Sequence, residues 1–272
     1  MRLILIILFT VATLVAKPLV FSALPLKNEQ AIFQAFGPMV AYLEKTLHVK
    51  IHYRYFPSYE NLLEAIEKQE VDLAYLGPLP YVLLQQENPS LTPLVLFNEN
   101  DGHPFYTCAL IAYGPQPKNI SFQKKATFAL TDPRSTCGYL AVSGLLAERG
   151  VALEEQYYRY LGRHDTVALA VVRGEFAYGG VKKSIADEYG HLGIETLLQT
   201  PLLPGFSLVA NAKTVPEALR QKIQKALLEA SIMETMGWAP AIRRGTVAAN
   251  DGMYEEVRTL LKAGAIPEKG NF

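Results

Sequence analysis

The sequence predicts an α/β protein of two lobes, with the chain passing between them twice. Three observations lead there. Strand and helix patterns alternate β-α-β-α from Leu19 to Leu76, a second βα series opens after the Gly114-Pro-Gln-Pro117 break, and the chain crosses back near Pro201–Gly205. Alternation of this kind signals largely parallel sheets flanked by helices.

Leu19–Ala23 is a short apolar strand. The helix after Pro25 carries apolar residues at Ile32, Phe36, Met39, Val40, Leu43 and Leu47, and Pro38 is expected to kink or restart it. His52–Phe56 alternates as a strand. Ser58 then caps a helix whose Tyr59, Leu62, Leu63 and Ile66 share one face. Val71–Leu76 is the next strand, and Gly77-Pro78 opens a helix with Pro in its first turn, which predicts free amides at its N-terminus. Phe105 to Tyr113 reads as one long strand.

In the second series Ala126–Leu130 is a buried strand, and the Asp132–Tyr139 loop leads into a helix over Leu140–Arg149. Tyr157–Leu161 leads through His164-Asp165 into a helix over Thr166–Arg173 stopped by Gly174, and Phe176–Val181 closes the unit as a strand. Thr214-Val-Pro-Glu217 reads as a capping box, and a last helix is expected around Tyr254–Lys262. Residues 17–107 with 204–272 form the first lobe in this reading, and 108–203 the second.

Met1–Ala16 reads as a secretory signal, one Arg and then an apolar run, although Leu14 fits the cleavage rule poorly and an uncleaved anchor stays open. Lys+Arg number 26 and Asp+Glu 26, which excludes a nucleic-acid binder resting on net charge. Cys108 and Cys137 are two cysteines in neither a C-x-x-C nor a zinc-type spacing. An exported chain could join them, but the fold is expected to rest on its core, and no cofactor or metal is expected.

The most informative segment is Thr131-Asp-Pro-Arg-Ser-Thr-Cys-Gly-Tyr139, where two hydroxyls, a thiol and a Gly sit at the handover from strand to helix. Backbone amides, the helix dipole and the Ser135 and Thr136 side chains there would hold an oxyanion; alternatively one hydroxyl simply caps the helix. His164 lies at a strand's C-terminal end, where ligands of open α/β sheets collect, and could donate to an anion with its charge rising below roughly pH 6.5. It could equally be solvated beside a capping Asp165. Tyr59 and Tyr106 start a helix and a crossing strand, from which a phenol reaches a cleft. Lys182-Lys183 reads first as a solvated pair and second as positive charge near the crevice.

Several separated segments together resemble the phosphonate-binding protein family of ABC transporters, the PhnD-like periplasmic binders of phosphate, phosphite and phosphonate. They are Val71–Pro78, Asp132-Pro-Arg-Ser-Thr-Cys-Gly-Tyr139, His164–Val171, Pro201-Leu-Leu-Pro-Gly205 and Met236-Gly-Trp-Ala-Pro240. The resemblance implies a two-lobed periplasmic-binding-protein fold of type II-like form, two crossing hinge strands, and an inner-membrane ABC permease as partner. It implies that Ser135 and Thr136 hold the ligand's oxygens, with Cys137 and Gly138 beside them, and that Tyr59, Tyr106 and His164 face the pocket. Tyr75, Lys182, Ser184 and Phe206 are further candidates.

Relatives that take aminoethylphosphonate hold its amine with two carboxylates, and Ser184 and Phe206 stand at those positions here. The expected ligand therefore has no amine: phosphate, phosphite or a small alkylphosphonate, bound by a periplasmic monomer. Two other functions stay open. One is a ligand-sensing head working with a separate kinase; the other is a phosphoryl- or acyl-transfer enzyme using Cys137 at a helix N-terminus with His164 as base.

Overall fold

The computed structural model of the chain describes residues 17–26, 28–115, 122–262 and 264–272. The segment read as a secretory signal and part of the Gly114–Pro117 break lie outside the described residues. The chain opens β1 (Leu19–Ala23), α1 (Glu29–Leu47), β2 (Ile51–Tyr53), α2 (Tyr59–Glu67), β3 (Leu73–Leu76), α3 (Pro78–Glu87) and β4 (Leu91–Phe97). β5 (Phe105–Tyr106), β6 (Cys108–Tyr113), β7 (Thr127–Leu130), α4 (Ala141–Ala147), β8 (Tyr157–Tyr160), α5 (His164–Val172), β9 (Tyr178–Lys182), α6 (Lys183–Glu188) and β10 (Ile194–Gln199) follow. The remainder is β11 (Leu203–Pro204), β12 (Ser207–Asn211), α7 (Glu217–Glu229), α8 (Ile232–Thr235), β13 (Thr246–Ala248) and α9 (Glu255–Leu261).

Two mixed sheets result. The first runs β13-β4-β12-β3-β1-β2 and the second β10-β6-β9-β7-β8. In each, three parallel strands (β2, β1, β3; β8, β7, β9) are continued by antiparallel ones. Helices cover both faces of the first sheet, so β3 is buried along its whole length and carries no polar alternation. On one face Phe21, Phe36 and Tyr75 pack ring to ring, at 5.5 and 4.8 Å, beneath α1 and α7. On the other, Leu62, Ile66 and Tyr81 pack beneath α2 and α3.

Between the sheets β5 and β11 pair as a two-stranded ribbon, Leu203 opposite Tyr106. The expected single strand Phe105–Tyr113 is thus divided at Thr107, its first part in the ribbon and its second in the second sheet. A third passage was not foreseen. After α9 the chain returns to β8, where the Asn271 amide oxygen accepts from Tyr158 N at 2.8 Å and Arg159 stacks over the Phe272 ring at 4.7 Å. The last residues therefore lie on the second sheet, although the sequence groups them with the first lobe.

Local signals held at several termini. Ser58 Oγ accepts from Asn61 N at 3.1 Å, as its capping position predicts, and Pro38 sits inside α1 without ending it. Thr214 does not cap α7. Pro216 takes that place with no side-chain cap, and the capping box forms instead between Ser231 and Glu234. At α3 the expected free amides are missing: Pro78 and Pro80 have no N–H, and the Leu79 amide is bonded across to Thr136. Among the described residues no helix is long and apolar enough to cross a membrane.

Candidate ligand-binding cleft

The Thr131–Ser135 loop is shaped by its own acid. Asp132 Oδ1 accepts from Arg134 N at 2.8 Å and its carbonyl from Ser135 N at 2.9 Å, a turn that short polar side chains stabilise. A kinked turn over Thr136–Leu140, its backbone non-helical at Gly138, then runs into α4. Ser135 precedes it without a side-chain cap, so the capping alternative falls and its hydroxyl is open to a ligand. By their place in the first turn, the Thr136 and Cys137 amides have no intrahelical acceptor.

Gly138 has a different part. A Cβ there would sit 2.8 Å from both the Asp132 carbonyl and Thr131 Oγ1, so only glycine lets the helix start fold back on the loop. It is buried behind the cleft and does not line it. Thr136 Oγ1 accepts from Leu79 N at 3.0 Å, a bond from the second sheet's loop to the first sheet's α3. It also shares a hydrogen bond with the Tyr106 phenol, so these two hydroxyls have one proton between them left for a ligand.

A cleft of about 240 Å³ lies where the parallel strands of both sheets end. Ligand sites of open α/β sheets collect at that edge. Of the expected residues it brings together Tyr59, Tyr75, Tyr106, Ser135, Thr136, Cys137, His164, Lys182 and Phe206. Ser184 is left out. It is exposed on α6, and its neighbour Ile185 faces the cleft instead. Sequence reasoning missed Glu99 and Arg134. Arg134 stood inside the loop already singled out, and Glu99 lies two residues past the end of β4, a strand hidden by Pro93.

His164 is neutral here. Burial, then the charge of Lys182, hold its imidazole down to about 4, with Asp165 opposing. Its expected protonation near pH 6.5 is thus displaced. Nδ1 accepts from the Lys182 backbone N–H at 3.1 Å, which puts the ring proton on Nε2 and makes His164 a neutral donor. The depressed pKa makes stability complete above the unfolded value of 6.5 and lost as pH falls from there toward 4. With water on the cleft side the loss is about 2 kcal/mol. Urea titrations at pH 7 and pH 4.5 should show it, and His164→Asn, which keeps an acceptor for the Lys182 amide, should remove that share.

The buried phenols of Tyr59, Tyr75 and Tyr106 are all pushed up, chiefly by burial, and stay protonated donors. Thr136, hydrogen-bonded to the Tyr106 phenol, opposes the shift there. Lys182 is not a solvated residue: its ammonium lies 2.5 Å from Glu99 Oε2, each side chain one-fifth exposed. Lys183 is the surface partner of Asp187. Arg134 reaches Glu268 of the C-terminal segment with both terminal nitrogens, at 3.1 and 3.3 Å. The full charges around the cleft are thus paired off. Among the described residues no group of three or more His, Cys, Asp or Glu is placed to hold a metal.

Cys137 is not a thiol. It is joined to Cys108, 29 residues away in sequence, with Cα atoms 5.0 Å apart. That overturns both the expectation of a fold resting on its core alone and the candidate nucleophile, since a disulfide sulfur has no thiolate to offer. The bond ties the loop's helix to the first residue of β6.

Comparison with known proteins agrees with this arrangement. Residues 21–254 match the model of the family described as ABC transporter, phosphonate, periplasmic substrate-binding protein. The phosphonates-binding periplasmic protein of Escherichia coli is 25% identical over 247 residues, 82% of this chain and 71% of that one. The phosphate-import protein PhnD of Mycolicibacterium smegmatis is 25% identical over 218 residues, 73% and 67% of the two chains. In fold, PhnD1 from Prochlorococcus marinus, solved in complex with methylphosphonate, superposes with a TM-score of 0.75 at 17% identity, covering 90% of this chain and 97% of that one. With the match extending over both sheets and the loop that begins the cleft, the chain belongs to the phosphonate family of periplasmic ABC-transporter substrate-binding proteins.

Proposed function

We propose that this chain is an extracytoplasmic receptor that captures a small phosphorus oxyanion in its cleft and delivers it to an ABC permease in the inner membrane. The observation carrying this reading is the convergence of neutral donors on one cleft: the Ser135 and Thr136 hydroxyls, helix-start amides, the His164 Nε2–H and protonated phenols. A dianion bound by dipoles needs no buried counter-charge, and hydrogen bonds to charged oxygens contribute roughly 1.5–3 kcal/mol each. Four or five reach micromolar affinity after the costs of closure.

In this reading residues 17–107 with the chain from 204 through α9 form one body and residues 108–203, with the C-terminal residues Asn271 and Phe272 held on β8, the other, and they close, as a monomer, about the β5–β11 ribbon. Phosphate, phosphite and alkylphosphonates are the ligand set. Leu24, Phe97, Phe206 and Ile185 on the cleft wall favour a phosphonate with an apolar substituent over bare phosphate. Isothermal titration of the chain from Lys17 with methylphosphonate, phosphite and phosphate should show one-to-one binding, tightest for the phosphonate. Heat from none of the three would refute the reading.

A further inference from the structure

The Lys182 ammonium occupies a complete recognition site. On one side is the Glu99 carboxylate at 2.5 Å; on another is the face of the Tyr106 ring, its centroid 4.8 Å away. A carboxylate and an aromatic face, both partly shielded from water, are what a protein uses to hold a primary ammonium. Glu99 is itself held in place: its backbone N–H donates to the His103 carbonyl at 2.7 Å and its carbonyl accepts from Gly102 N at 3.0 Å. Its charge raises the Tyr75 and Tyr106 phenols, which places it on the cleft wall among the ligand candidates.

The cation in that site belongs to the protein. Lys182 ends β9 of the second sheet, and Glu99 follows β4 of the first, so one sheet's ammonium fills a site built by the other sheet and the ribbon. We propose that Lys182 is the built-in occupant of an ammonium site made by Glu99 and Tyr106, that it thereby excludes amine-bearing phosphonates, and that its removal admits them. The carboxylate absent from positions 184 and 206 is thus present at 99, but already paired. A ligand ammonium entering the cleft would have to displace Lys182 or lose its hydration without a partner, and either costs affinity.

The inference rests on the phosphonate reading, and its test separates the two. Propylphosphonate and 2-aminoethylphosphonate have the same number of heavy atoms and differ in a methyl against an ammonium. Calorimetry on the native chain should favour propylphosphonate by at least about tenfold. Lys182→Ala should reverse the order, Lys182→Ser should do the same as a second opening of the site, and Lys182→Ala with Glu99→Gln should lose the gain. Equal or tighter binding of the amine by the native chain, or no shift toward it in either single variant, overturns the proposal while phosphonate binding still stands.

Ethylammonium chloride against sodium chloride, at equal ionic strength, checks the site without any phosphonate. It should raise the thermal midpoint of Lys182→Ala and leave the native chain and the double variant unchanged. That rise with no phosphonate binding would keep the ammonium site and remove the phosphonate reading. Neither effect would remove both.

Discussion

Replacing Ser135 and Thr136 together by Ala is expected to weaken phosphonate binding by about a hundredfold or more. Two hydrogen bonds to a charged oxygen, each worth roughly 1.5–3 kcal/mol, disappear, and 1.4 kcal/mol is a factor of ten. Thr136 adds a second loss. Its oxygen accepts from Leu79 N, the one amide that α3 offers between Pro78 and Pro80, so without it that buried donor is left unpaired on the closed side of the cleft. Thr136→Ser should therefore bind close to normally, while Thr136→Val, similar in shape, should lose most of the affinity. Titration calorimetry decides it. A double variant within about threefold of the native chain would mean that the helix start is not where the anion sits.

Reducing the Cys108–Cys137 bond is the change expected to cost most in stability. Closing a loop of about 30 residues removes roughly 3–4 kcal/mol of chain entropy from the unfolded state. For a chain of this length that corresponds to a fall of about 10 °C in thermal midpoint. The effect should extend to binding, because the bond ties the Thr136 helix start to β6 and so fixes the donors in place before a ligand arrives. Cys108→Ser with Cys137→Ser should show both losses without reductant. An unchanged midpoint and an unchanged affinity would show that core contacts alone position the loop.

Much of the architecture was legible because its signals are local. Leu19–Ala23 was read to the residue, and Ser58 caps its helix as its spacing requires. β4 was not seen because Pro93 interrupts the run. The structure admits that proline opposite Val209, beside a register shift at which Leu94 stands unpaired between Pro93 and Val95. The ribbon was hidden for another reason: Phe105–Tyr113 is one extended stretch, and which of two sheets each part joins depends on partners a hundred residues away. In the cleft, residue types announced the donors at Ser135, Thr136 and His164. They said nothing of the pairing between Lys182 and Glu99, which exists only once the two sheets face one another, or between the two cysteines, which meet only once β6 and the Thr136 turn pack together within the second sheet.

The C-terminal return to β8 bears on the order in which this protein can fold. The first sheet waits for β12 and β13, and the second sheet's outer strand takes its bond from Asn271, 113 residues beyond Tyr158. A chain emerging from a membrane channel N-terminus first can complete neither body until almost all of it has passed through. Contacts so distant in sequence slow folding and leave strand edges exposed meanwhile. Such a chain depends on being kept from its neighbours during export, and a shortened one ending before Asn271 should refold with the β8 edge open to self-association.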